Sequence, residues 1–130
     1  MFKRIDHVEI VTDKPAETER FYTEVLGFRL KARDEVKRPD GSGLDLTYLD
    51  LGGTTVELIH FTGVPVGPIP QKEHLGYRLI ALEVDDMNKT LAELKAHGIE
   101  PVWGPMFRPT YARAEIQDPN GYHIELRHWF

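Results

Sequence analysis

One pattern occurs twice in this chain, and any fold it adopts must accommodate both copies. An aspartate able to begin a helix and a glycine able to end it stand 14 positions apart at Asp13 and Gly27, and 13 apart at Asp85 and Gly98. A turn glycine precedes a glutamate by four positions at Gly53 and Glu57, and again at Gly121 and Glu125. Two copies are too few for a solenoid, so they must pair with each other or across a dimer.

Around these markers the periodicities alternate. Ile5 to Thr12 alternates as a strand should, and Asp13 with Pro15 opens a helix whose Thr18, Phe21, Tyr22 and Val25 fall on one face. Phe28–Glu35, Leu44–Leu51 and Thr54–His60 read as three further strands, the last two joined at Gly52-Gly53. The second copy gives strands at Leu79–Val84, Ile99–Trp103, Tyr111–Gln117 and Tyr122–Arg127. Its helix is capped by Asp85 and carries Met87, Leu91 and Leu94, and Asp118-Pro119-Asn120-Gly121 makes the last turn. The expected architecture is α+β: two βαβββ modules, residues 1–61 and 77–130, forming curved mixed sheets around a cavity with helices outside. The linker 62–76 is expected to be a loop, since Phe61 to Pro70 holds three prolines and two glycines.

Composition narrows the chemistry. A formal charge of −5 without a clustered basic run argues against nucleic-acid binding, and no stretch approaches a membrane span. The alternating N-terminal residues lack the apolar block of a secretory signal, so a cytoplasmic protein is expected. With no cysteine, any metal must be held by His, Asp or Glu.

Strand alternation then sorts the candidates. If Val8, Ile10, Val56, Leu58, Ile80, Leu82, Ile124 and Leu126 pack under the helices, the other face carries His7, Glu9, Glu57, His123, Glu125 and Arg127. Carboxylates crowded in a cleft repel until one is protonated or a cation neutralises them, and imidazole with carboxylates suits a first-row divalent ion. Glu9 is either a general base or simply exposed, and exposure is the expectation. Arg127 either holds an anionic group or makes a surface salt bridge. Tyr77 and Arg113 are further lining residues, and His123 is ligand, acid–base group or lining. His60 and His128 fall on the opposite face, and His97 at a helix C-terminus, so these three are expected to be structural.

Four segments carry a resemblance to a known family: Ile5-Asp6-His7-Val8, Phe21 to Phe28, Leu82-Glu83-Val84-Asp85-Asp86 and Asp118 to Leu126. In order and spacing the chain resembles the vicinal oxygen chelate superfamily, which includes glyoxalase I, methylmalonyl-CoA epimerase, extradiol dioxygenases and drug-resistance proteins. The resemblance implies one metal ligand on each of strands one, four, five and eight. It carries over to His7, Glu57 and Glu125, with Glu57 or Glu125 also moving the substrate proton. The remaining position is Leu79, which cannot ligate. Three alternatives follow: water fills the gap, His123 or His74 supplies a nitrogen, or the chain holds no metal. The implied function is a lyase or isomerase/epimerase acting on a small oxygen-rich substrate chelated to nickel, cobalt, zinc, manganese or iron, in a homodimer. The alternatives are a metal-free drug- or metabolite-binding protein lined by Trp103, Phe107, Tyr111 and Tyr77, and an extradiol-type dioxygenase.

Overall fold

A computed structural model describes all 130 residues. They divide into two compact units, Met1–Pro68 and Ile69–Phe130. Unit one holds β1 (His7–Val11), α1 (Pro15–Arg20) continued by a π-helical turn Phe21–Val25, β2 (Arg29–Lys37), β3 (Gly43–Leu51) and β4 (Thr54–Thr62). Unit two holds β5 (Leu79–Glu83), α2 (Met87–Ala96), β6 (Trp103–Phe107), β7 (Tyr111–Gln117) and β8 (His123–Trp129). Each is a four-stranded mixed sheet, ordered β1-β4-β3-β2 and β5-β8-β7-β6, in which only the first pair, β1-β4 or β5-β8, is parallel. The α+β class and the duplicated βαβββ order are therefore those read from the sequence.

The two registers superpose the copies residue by residue. In unit one His7 pairs with Thr55 and Glu9 with Glu57; in unit two Leu79 pairs with His123 and Ala81 with Glu125. Tyr48 lies opposite Glu57, as Glu115 lies opposite Glu125. Positions 7, 9 and 57 of the first sheet thus correspond to 79, 81 and 125 of the second.

Each helix covers one face of its own sheet, α1 against β4 and α2 against β8. Under α1 the core is Ile10, Phe21, Tyr22, Phe28, Val56 and Leu58; under α2 it is Met87, Leu94, Ile124 and Leu126. Burying such side chains supplies about 1.5–3 kcal/mol each, which makes these faces the main source of stability.

Several boundaries differ from the sequence reading, each for a local reason. The first helix is not one regular segment. After Arg20 the Leu26 N–H bonds back five residues to Phe21 O (3.1 Å), widening the turn that carries the buried Phe21 and Tyr22. Asp13 does not cap it. The Thr12 hydroxyl accepts the Lys14 N–H instead (3.0 Å) and meets Thr18 Oγ1 at 3.0 Å. In the second helix the cap is Asp86 rather than Asp85, its Oδ1 accepting the Lys89 N–H at 2.9 Å. Asp86→Ala is expected to lower stability by about 1 kcal/mol, read by chemical denaturation, while Asp85→Ala changes it by less than half that.

The strand expected at Ile99–Trp103 begins where that segment ends, at Trp103. Gly104-Pro105, a pair that reads as a turn, lies inside the strand. Gly104 sits at φ +76°, where a Cβ would come within 2.9 Å of Arg113 O, and the register shifts between Trp103 and Met106. Proline is tolerated because β6 is an edge strand. Of the histidines expected to be structural, His128 accepts the first N–H of α2 through Nδ1 (3.2 Å), and His97 closes that helix. His60 faces Asp45 at 3.3 Å.

Candidate metal centre and arginine-bound carboxylates

On β1, residues 7 and 9 point to the face away from α1, and the parallel register brings Glu57 of β4 alongside. His7 Nε2 lies 3.2 Å from Glu57 Oε2 and 3.5 Å from Glu9 Oε1. One ligand atom from each of these three residues falls within 4.8 Å of the others. The other imidazole nitrogen, Nδ1, is 3.0 Å from Asp6 Oδ2. That hydrogen bond foremost raises the His7 pKa; desolvation opposes it, and the Glu57 charge and hydrogen bonding to Glu9 add to it. With Nδ1–H donated to Asp6, the Nε2 lone pair faces two carboxylates, an arrangement that calls for a cation or a proton between them.

Glu57 is the buried member, 6% exposed, whereas His7 and Glu9 are open to solvent. Tyr48 stands opposite Glu57 on the neighbouring strand, and burial followed by the Glu57 charge raises the phenol's pKa. No lysine or arginine forms an ion pair with Glu57 or Glu9; the basic group within ion-pair distance of both is His7. For bonds of about 2.0–2.2 Å, neighbouring donors on a first-row ion stand about 3–3.5 Å apart. The spacing and the nitrogen–oxygen donor set of His7 and Glu57 fit a divalent ion.

The corresponding face of unit two solves the same electrostatic problem differently. Glu125 is buried, and both its oxygens are taken by guanidinium groups. Arg113 Nη2 lies 3.1 Å from Oε2, and Arg127 binds Oε1 through Nε (2.8 Å) and Nη2. Glu115, 3% exposed, receives Arg78 (2.9 Å), Arg113 (3.0 Å) and His123 Nδ1 (3.1 Å). Aromatic rings brace the arginines: Arg113 lies over Trp103 at 4.6 Å, and Arg127 lies over Tyr111 at 4.5 Å and Trp129 at 4.9 Å.

Burial alone would raise the Glu115 carboxyl, but the hydrogen bonds from Arg78 and His123 outweigh it and hold the group below the usual carboxylate range. A carboxyl more acidic when folded stabilises the protein above its unfolded pKa, and that contribution is lost as pH falls through the folded value. Acid unfolding is therefore expected to begin below about pH 4. Glu115→Gln should flatten that limb of a Tm-against-pH curve.

The structure brings His7 and Glu57 together and sets beside them Glu9, exposed and on the face that strand alternation gives it. Glu125 lies in unit two, paired with arginines. His123 and Arg113 join its network. Leu79 and Ala81 offer no donor at the positions matching His7 and Glu9. Tyr77 is fully exposed, and His74 Nδ1 meets Leu75 O at 3.0 Å within the linker segment. Glu115 was missed by the sequence reading, although its place opposite Glu125 in the hairpin was legible once Asp118–Gly121 had been assigned as the turn.

Residues 4–126 match the Glyoxalase/Bleomycin resistance protein/Dioxygenase superfamily, and the chain belongs to it. A lactoylglutathione lyase from Neisseria meningitidis is 33% identical over 114 residues, covering 82% of this chain and 76% of that protein. The mitochondrial methylmalonyl-CoA epimerase of Homo sapiens is 30% identical over 95 residues, covering 71% of this chain and 52% of its own length. A glyoxalase family protein from Bacillus cereus shares the fold, with a TM-score of 0.85 over 100% of this chain and 96% of that one at 22% identity. No helix is long and apolar enough to cross a membrane.

Proposed function

We propose that the chain is a metal-dependent enzyme of the glyoxalase type, a lyase or isomerase/epimerase that moves a proton next to a carbonyl or hydroxyl carbon of a small oxygen-rich substrate. The observation that carries this reading is the orientation of His7, with Nδ1 bound to Asp6 and Nε2 aimed at Glu57 and Glu9. His7 and Glu57 would hold the divalent ion, and bound there it would supply Lewis-acid stabilisation of negative charge developing on substrate oxygens. The similarity to a lactoylglutathione lyase and a methylmalonyl-CoA epimerase supports the reaction class.

In this reading Asp6 fixes the His7 tautomer and ring orientation. Glu57 is the proton carrier: a buried carboxylate with no guanidinium paired to it, facing Tyr48 of the neighbouring strand. Glu125 serves to hold Arg113 and Arg127, since its two oxygens are already committed to them. The homodimer that the family resemblance implies is part of the proposal.

The test is solvent exchange. Metal-depleted protein, reloaded with nickel, cobalt, zinc, manganese or iron, is incubated in deuterium oxide with 2-oxo and 2-hydroxy thioesters and hemithioacetals. Metal-dependent deuterium incorporation next to the carbonyl is expected; none with any metal would count against the enzyme. A second reading, a metal-free binder of aromatic small molecules, draws on Trp103 and Trp129 standing exposed beside ring-stacked arginines. Stoichiometric binding of such a ligand without metal and without exchange would favour it.

A further inference from the structure

The geometry points to Glu9 as the third protein ligand of the metal centre, so that β1 and β4 of unit one supply all three donors. This inference rests on the metal-dependent reading above and names a ligand that the family resemblance does not supply: a second donor on the first strand, standing in for the one lost at Leu79.

Three observations lead to it. Residues 7 and 9 are two apart on one strand and therefore share a face, and the parallel register sets Glu9 directly opposite Glu57. Glu9 Oε1 lies 3.5 Å from His7 Nε2, within the spacing of neighbouring donors on one ion, and the three ligand atoms fall within 4.8 Å of each other. One imidazole and two carboxylates with open positions left for water or substrate suit manganese, iron, cobalt, nickel or zinc.

The second unit is an internal control. At its matching positions the donors are gone, Leu79 for His7 and Ala81 for Glu9, and the remaining carboxylate, Glu125, is neutralised by two arginines. Where the histidine and the first glutamate are kept, no arginine or lysine has taken the place of a cation beside Glu57. Two carboxylates set side by side on paired strands are otherwise repulsive. One copy sets a histidine and two carboxylates together, and the other pairs its carboxylate with arginines.

Equilibrium dialysis of the full chain against manganese(II) and zinc(II), with cobalt(II) absorption as a second readout, tests the assignment. Wild-type protein is expected to bind one ion per chain. Glu9→Gln should weaken binding by roughly 100-fold and alter the cobalt spectrum, whereas Glu125→Gln should keep the affinity within about threefold. Glu9 is exposed, so its variant is expected to fold, which circular dichroism checks. Wild-type binding with an unchanged Glu9→Gln variant, or binding lost in Glu125→Gln instead, would overturn the role of Glu9 and leave the metal-dependent enzyme standing. Failure of the wild-type chain to bind any of the three ions would overturn both.

Discussion

Glu57→Gln is expected to cut turnover by about 10²–10⁴-fold while leaving the metal-free protein as stable as wild type, or slightly more so. The variant keeps the volume and the hydrogen-bonding shape of the side chain, so the core beneath β4 is undisturbed. It removes a negative charge that is 6% exposed, faces Glu9 across the parallel pair, and has only an imidazole to offset it. A buried charge without a strong partner is a cost to folding, so its loss should not lower Tm. Such sites are retained for chemistry rather than for stability. Turnover assays beside thermal melts of the metal-free proteins read both halves of the expectation. A large loss of Tm together with activity would mean that Glu57 is structural.

The matching residue of the other sheet should behave in the opposite sense. Glu125→Ala leaves Arg113 and Arg127 as neighbouring cations without their shared carboxylate, and both guanidinium groups are largely buried, their side chains 25% and 23% exposed. Removing one partner of a buried ion pair typically costs 3–5 kcal/mol; some solvent access here reduces that to roughly 2–4 kcal/mol, on the order of 10 °C in Tm. Pairing Glu125→Ala with Arg127→Leu should recover part of the loss, because the orphaned charge goes with its partner. A Tm unchanged by Glu125→Ala would show that the arginines find other partners and that the network carries no stability.

The contrast between Glu57 and Glu125 explains what could be read from the sequence and what could not. The fold was legible because it is written twice. Two helix-sized gaps between aspartate and glycine, and two Gly–Glu spacings of four, fix the element order without reference to any long-range contact. Strand alternation likewise placed His7, Glu9 and Glu57 on the face away from α1, since period two leaves no other choice. Failures came where local signals mislead. Gly104-Pro105 reads as a turn yet sits within an edge strand, and the widened turn Phe21–Val25 leaves no mark on a 3.6-residue periodicity that already sets Phe21 and Tyr22 on one face.

The site was harder to read than the fold. Equal spacing made Glu57 and Glu125 look like equivalent ligands, whereas their chemistry is decided by side chains on neighbouring strands. Arg113 lies opposite Arg127, and Glu115 opposite Glu125, while the β3 residue opposite Glu57 is an uncharged tyrosine. These pairings follow from the hairpin registers, and only with them in hand does a repeated glutamate become an arginine-bound residue in one copy and a carboxylate paired with an imidazole in the other.

Anomalous diffraction from a manganese-soaked crystal addresses the metal centre itself. A peak about 2.0–2.2 Å from both His7 Nε2 and the Glu57 carboxylate is the predicted result. A clean map at that position, or a manganese ion bound only by other side chains, would contradict it.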